Sequence, residues 1–171
     1  MTDKAMVVAS VQHALSGRDF PNLRVAVLAH HCDQPVAIEL IELFQRSGIL
    51  CWTEEQLLPG QDWELEIHKA YRKADFILIL LSEASVQSTG MFQKQIKMAL
   101  DAGSFMPEGG IKTIPIRLDE CEVPFILRDL ICLDLWRSDA MIRLVLAWAK
   151  EWQRRKSNND WPKADSSAWK W

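Results

Sequence analysis

The segment Asp75–Leu100, DFILILLSEASVQSTGMFQKQIKMAL, limits what this chain can become. Phe76 to Leu81 is apolar at every position. A run this short and this uniform suits a strand covered on both faces, as in the middle of a parallel sheet. The chain turns polar from Ser82 to Gly90. Apolar residues then recur at helical spacing from Met91 through Phe92, Ile96, Ala99 and Leu100. The order strand, loop, helix puts the loop and the helix start beside the crevice that open α/β sheets use for ligands.

The rest of the chain repeats this alternation. Thr2–Gly17 carries Val7, Val11 and Leu15 on one helical face, which predicts a short amphipathic helix outside the core. Leu23–Ala29 reads as a first buried strand. HHCDQ, His30–Gln34, follows it, then a helix over Pro35–Ser47 with Pro35 at its first position. Ile49–Trp52 is a second strand, Thr53–Gln61 a loop with a Pro59-Gly60 turn, and Asp62–Arg72 a second helix. Ile111–Leu118 is a fourth strand, with Pro115 calling for a free N–H side or a bulge. Asp119–Leu130 is mostly loop with a possible helical turn. Ile131–Leu135 is a fifth strand, and a last helix begins at Ser138 or Asp139 and runs to about Arg155. Five alternations predict a three-layer, flavodoxin-like α/β fold. Its parallel sheet takes the order 2-1-3-4-5, with helices on both faces.

At 171 residues the expectation is one main domain over 23–156, preceded by a helix and linker over 1–22 and followed by a polar tail over 157–171. That length buries roughly 70% of the unfolded surface without metal or disulfide staples. The net charge of −3 makes no broad case for nucleic acid. The cluster Lys150, Arg154, Arg155 and Lys156 reads as cations complementing a helix C-terminus. The four cysteines form no C-x-x-C pair, and Cys51 and Cys132 are expected as small buried strand residues, which suits a reducing cytoplasm. No apolar run approaches the ~18 residues of a spanning helix, and no signal-peptide core is evident, so neither membrane insertion nor export is expected. Five of the eight tryptophans fall at or after Trp148. Trp148 and Trp152, one turn apart, are expected on the sheet. Trp161, Trp169 and Trp171 suit either folding back on the domain or docking to a partner protein, with docking favoured because so short a polar segment has no core of its own.

Strands one and three flank the switch point, so His30–Asp33 faces Ser82–Gly90. No G-x-G-x-x-G follows the first strand, which excludes the dinucleotide fingerprint. A flavin-phosphate loop and a receiver aspartate are also absent. His30, His31, Cys32 and Asp33 are metal-ligand types, but consecutive residues diverge and no second cluster completes a set; no metal is expected. A Cys32 nucleophile has no better support.

Three stretches, Leu23 to Asp33, CWTEEQLLPGQDWELEI over Cys51–Ile67 and LSEASVQSTGMFQKQIKMALD over Leu81–Asp101, resemble the Toll/interleukin-1 receptor (TIR) domain in its bacterial form. IPIRLDECEVPFILRDL over Ile114–Leu130 is similar as well, and the resemblance spans about Leu23–Trp136. Many TIR domains cleave NAD⁺ at the nicotinamide–ribose bond, using a glutamate early in the helix after strand three. The resemblance places that glutamate at position 95, which is Gln95 here. It implies substrate contacts at Ala29, His30, His31, Asp33, Trp52, Ser82, Ser85, Met91 and Phe92. NAD⁺ enters as substrate, not as a resident cofactor.

Gln95 hydrogen-bonds but carries no charge. Loss of one charge-stabilising group in a closed site costs on the order of 10²–10³ in rate, so the chain should be a weak or inactive NADase. Natural drift and an installed substitution both fit Gln95: His30-His31 and Met91 suit the first, the intact loop the second. Glu83, Glu54 and Glu55 are nearby acids that could substitute. The resemblance also implies homotypic assembly through the family's BB loop, here Leu57, Leu58, Pro59 and Gly60. Two functions follow: a self-assembling NAD⁺-cleaving effector of bacterial defence or toxin type with a disabled acid, or a non-catalytic TIR adaptor.

Overall fold

The computed structural model describes residues 22–158. The expected N-terminal helix and the Trp161, Trp169 and Trp171 positions lie outside the described residues. The elements are β1 (Arg24–Leu28), α1 (Gln34–Arg46), β2 (Leu50–Trp52), α2 (Trp63–Lys73), β3 (Phe76–Leu81), α3 (Glu83–Val86), α4 (Met91–Gly103), β4 (Thr113–Arg117), β5 (Leu133–Asp134) and α5 (Ala140–Asn158). The strands form one parallel sheet in the order β2-β1-β3-β4-β5, as the alternation predicts.

β3 is buried at all six positions, and its alternate side chains explain why. Phe76, Leu78 and Leu80 join β1, α1 and α5 in one core, where Phe44 and Trp148 meet edge to face at 5.3 Å. Ile77, Ile79 and Leu81 join α2 and α4 in the other, with Tyr71, Phe92 and Ile96. Period-two alternation supplies two apolar faces, so the strand can hold no polar residue. Trp148 and Trp152 pack in the first core as expected.

Three local expectations are corrected. The fifth strand shrinks to Leu133–Asp134; Ile131 is 86% exposed, and Cys132 precedes the strand and is half-buried. The polar stretch after β3 folds into α3, because Ser82 and Ser85 form a reciprocal capping box. Pro115, by contrast, has the free N–H side that its position calls for, on the β5 side of β4. The bonds Ile77 N→Lys112 O and Leu118 N→Leu81 O turn the even residues of β4 toward β3, and short β5 pairs only with Ile116 and Arg117. The missing N–H therefore costs no bond to β3.

The basic cluster is the third correction. Arg155 is buried, its Nε donating to Glu151 at 2.7 Å and its guanidinium to the Asp75 backbone oxygen at 3.0 Å. Asp75 also accepts from Arg24 through the backbone N (2.9 Å), Nε (3.1 Å) and Nη2 (2.9 Å). Glu151 accepts from Arg154 and from the Ile111 amide at 3.0 Å. Lys112 is buried beside this cluster, donating to the Ala74 carbonyl at 2.6 Å. These charges fasten α5 to the amino ends of β1, β3 and β4, opposite the ligand end of the sheet.

Burial works against the Glu151 charge, but the hydrogen bonds from Arg154, Arg155 and Ile111 outweigh it and hold its carboxyl below the usual glutamate range. Removing one partner of a buried pair is costly, so E151Q should lose about 3 kcal/mol in urea unfolding at neutral pH. Because folding lowers this pKa, the contribution is complete above the ordinary glutamate range and is lost as pH falls through the depressed value. The difference between wild type and E151Q should therefore shrink in acid.

Candidate functional site

β1 and β3 deliver their carboxyl ends side by side, with Val25↔Phe76 through Leu28↔Ile79 in register. His30 follows β1 and opens a 3-10 turn over His31–Asp33, its ring accepting from the Cys32 N–H at 3.5 Å. The His30 ring packs against His31 at 4.0 Å and edge-on to Phe92 at 5.5 Å. His31 is exposed and Ala29 buried. Asp33 is buried and accepts from the Ser82 hydroxyl at 2.9 Å, joining the two crevice walls. Ser82 in turn caps α3 by accepting from Ser85 N at 3.2 Å, and Ser85 Oγ receives the Ser82 N–H at 2.8 Å. Asp33, Ser82 and Ser85 are thus engaged with one another below the surface.

Gly90 takes φ +90, a left-handed conformation that glycine adopts without strain, and aims the chain into α4. Met91, first in α4, is 57% exposed, whereas Phe92 is buried. One turn on, Gln95 is 3% exposed. Its amide Nε2 donates to a carboxylate oxygen of Glu54, from the 3-10 turn Glu54–Gln56 after β2. Trp52 and Tyr71 lie beneath, buried and edge to face at 6.1 Å. Burial, with the Glu54 charge adding to it, pushes the Tyr71 hydroxyl pKa up, so it stays protonated.

Gln95, Glu54, Tyr71, Trp52 and Ala29 share one recess of about 10 Å³. That is room for about one water and no more. Its lining includes no lysine or arginine. Tyr71 was visible in the sequence only as part of an apolar helix stripe with Trp63 and Ile67. Glu83 and Glu55 point elsewhere: both are exposed, and the Glu83 N–H is bound by Asp119.

Among the described residues no three His, Cys, Asp or Glu side chains gather as a metal site. Desolvation and then the Asp33 carboxylate push the Cys32 thiol up, away from thiolate reactivity.

The loop after β2 splits its leucines. Leu57 packs onto the α2–α4 core, whereas Leu58 is 66% exposed. Leu58 N donates to Gln61 Oε1 at 2.7 Å, Gln61 N donates to Leu58 O at 3.1 Å, and Pro59 and Gly60 complete the turn in solvent. Only Leu58 of the pair is presented.

A parallel sheet in this order, with its crevice between β1 and β3 and this loop beside it, defines a class of fold. A sequence profile of the TIR domain matches residues 25–146, and the chain belongs to that family. No curated protein sequence matches it. Among solved structures it is similar to the TIR domain of the Toll-related receptor TRR-2 from Hydra magnipapillata, with a TM-score of 0.59 and 21% identity. The match covers 77% of this chain and 97% of that one, and at that identity it speaks for the fold alone. No helix among the described residues is long and apolar enough to cross a membrane.

The Asp33–Ser82 bond is the clearest structural link across the crevice. S82A removes both that donor and the α3 cap, and should cost about 2 kcal/mol by the usual scale for a charged hydrogen bond. Chemical denaturation of the variant measures it.

Proposed function

We propose that this TIR domain works by head-to-tail self-association, with a nucleotide crevice of the NAD⁺-cleaving type that is weak or inactive for want of an acid at Gln95. One observation supports the assembly most directly. An exposed knob and an apolar groove lie at opposite corners of the sheet. The knob is Leu58, beyond the carboxyl end of edge strand β2. The groove, about 520 Å³, opens at the amino ends of β4 and edge strand β5, between Leu100, Ile131, Leu133, Leu144 and Ala147.

A knob on one surface that meets a groove on another makes a heterologous contact. Such contacts build open strings unless the rotation closes a ring. Burying one leucine contributes about 2 kcal/mol, so a weak, concentration-dependent assembly is expected, suited to a signalling switch.

The second reading, an NAD⁺-consuming effector of bacterial defence or toxin type, draws on the sequence resemblance and on the position of Gln95 in the crevice. The 10 Å³ recess favours assembly as the main activity. A ribose enters only if the loop over 55–61 moves outward.

Knob and groove can be tested separately. L58D and A147R should each remain monomeric in light scattering at concentrations where the wild type grows. An equimolar mixture should stop at dimers, because it still offers one intact knob and one intact groove. A wild type that stays monomeric at high concentration, or L58D particles of unchanged size, overturns the assignment.

A further inference from the structure

The position that lacks an acid nevertheless touches one. Gln95 is buried at the base of the recess, and the group its amide holds is the Glu54 carboxylate, 41 residues earlier in the chain. Of the three glutamates near the crevice, Glu54 alone lines the recess. We propose that Glu54 is the acid of the nucleotide site: the carboxylate has moved from α4 to the loop after β2, and Gln95 is its positioning residue. This rests on the NAD⁺-cleaving reading above and deepens it.

The pairing is chemically selective. An amide N–H at position 95 donates to Glu54 and keeps it turned inward. A glutamate there would set two carboxylates in contact and drive one out or force one to keep a proton. Gln95 and an inward Glu54 therefore form one unit. Gln95 holds one carboxylate oxygen, Oε2, which leaves Oε1 available to substrate. The walls include Trp52, Tyr71 and Leu28, so the half-buried charge acts beside apolar surface, where it is worth more than in open water.

The reaction balances without any further reagent. The bond between ribose C1′ and the pyridinium nitrogen breaks, and its electron pair stays with the nitrogen, which leaves as neutral nicotinamide. The positive charge this creates on the ribosyl group faces the Glu54 carboxylate. Water adds to C1′, and its proton passes to Glu54 and on to solvent. Access requires the loop beyond Glu54 to swing out. The packing of Leu57 is a tie that must release, while the Gln95–Glu54 bond stays and keeps the carboxylate turned to the substrate.

The test uses the full chain, NAD⁺ as probe and four proteins: wild type, E54Q, Q95E and the exchange E54Q/Q95E. They are compared at concentrations where all scatter light alike, with nicotinamide release followed by chromatography and NAD⁺ binding by calorimetry. Slow release by the wild type is expected, a fall of about 100-fold in E54Q with NAD⁺ still bound, and recovery in the exchange, where the carboxylate and amide trade places. E54Q cleaving as fast as wild type overturns the role of Glu54 and leaves the NAD⁺ reading intact. So does release by Q95E where the wild type shows none. If wild type, Q95E and the exchange neither cleave nor bind NAD⁺, the NAD⁺ reading and Glu54 fall together.

Discussion

Burial of β3 on both faces is the constraint from which the architecture follows. Six consecutive apolar side chains can leave water only if helices cover the sheet above and below, and connections that do this are right-handed crossovers between parallel strands. The strand then has β1 on one side and β4 on the other. That placement opens a crevice where the chain leaves β1 and β3. The site is thus a consequence of where the most apolar strand must sit.

The two ends of the sheet use charge differently. At the amino end, buried Asp75, Arg155, Glu151 and Lys112 gather with half-buried Arg24, hydrogen-bonded across the elements they flank. Burial lowers the Lys112 pKa to about 8, the neighbouring Arg155 charge adding to it and Asp75 opposing. A group whose charged form is so disfavoured is held by the carbonyls around it. At the carboxyl end two carboxylates, buried Asp33 and half-buried Glu54, each meet a neutral donor, Ser82 and Gln95. Ion pairing fixes the base of the domain. Neutral donors leave the negative charge at the crevice uncancelled, which is the arrangement a cationic reacting group would meet.

The loop after β2 joins that crevice to the outer surface. Glu54 reaches inward to α4, Leu57 packs on the α2–α4 core, and Leu58, one residue on, stands in solvent. A ligand that unseats Leu57 would disturb the base on which Leu58 is mounted. Two binding events sharing one short segment are thermodynamically coupled wherever the segment has two positions, and the coupling is reciprocal.

Periodicity within each element made most of the fold legible. The strictly apolar β3, the helical stripe of Trp63, Ile67 and Tyr71, and the turn chemistry at Pro59-Gly60 all belong to segments a few residues long. They led directly to the sheet order, whereas the family came from the resemblance of the stretches at Cys51–Ile67 and Leu81–Asp101. The short β5, with Ile131 outside it, escaped because an apolar run does not reveal where pairing stops. The site was legible only as a list of positions. Arg155 looked like one more cation near a helix end until Asp75, 80 residues away, was set against it. Glu54 was indistinguishable from Glu55 and Glu83 until the sheet brought β2 beside β1 and turned one of the three toward Gln95. Local sequence dictates which face of an element is apolar. Which polar side chains meet depends on the distances and directions that packing creates between elements far apart in the chain, and tertiary structure alone supplies those.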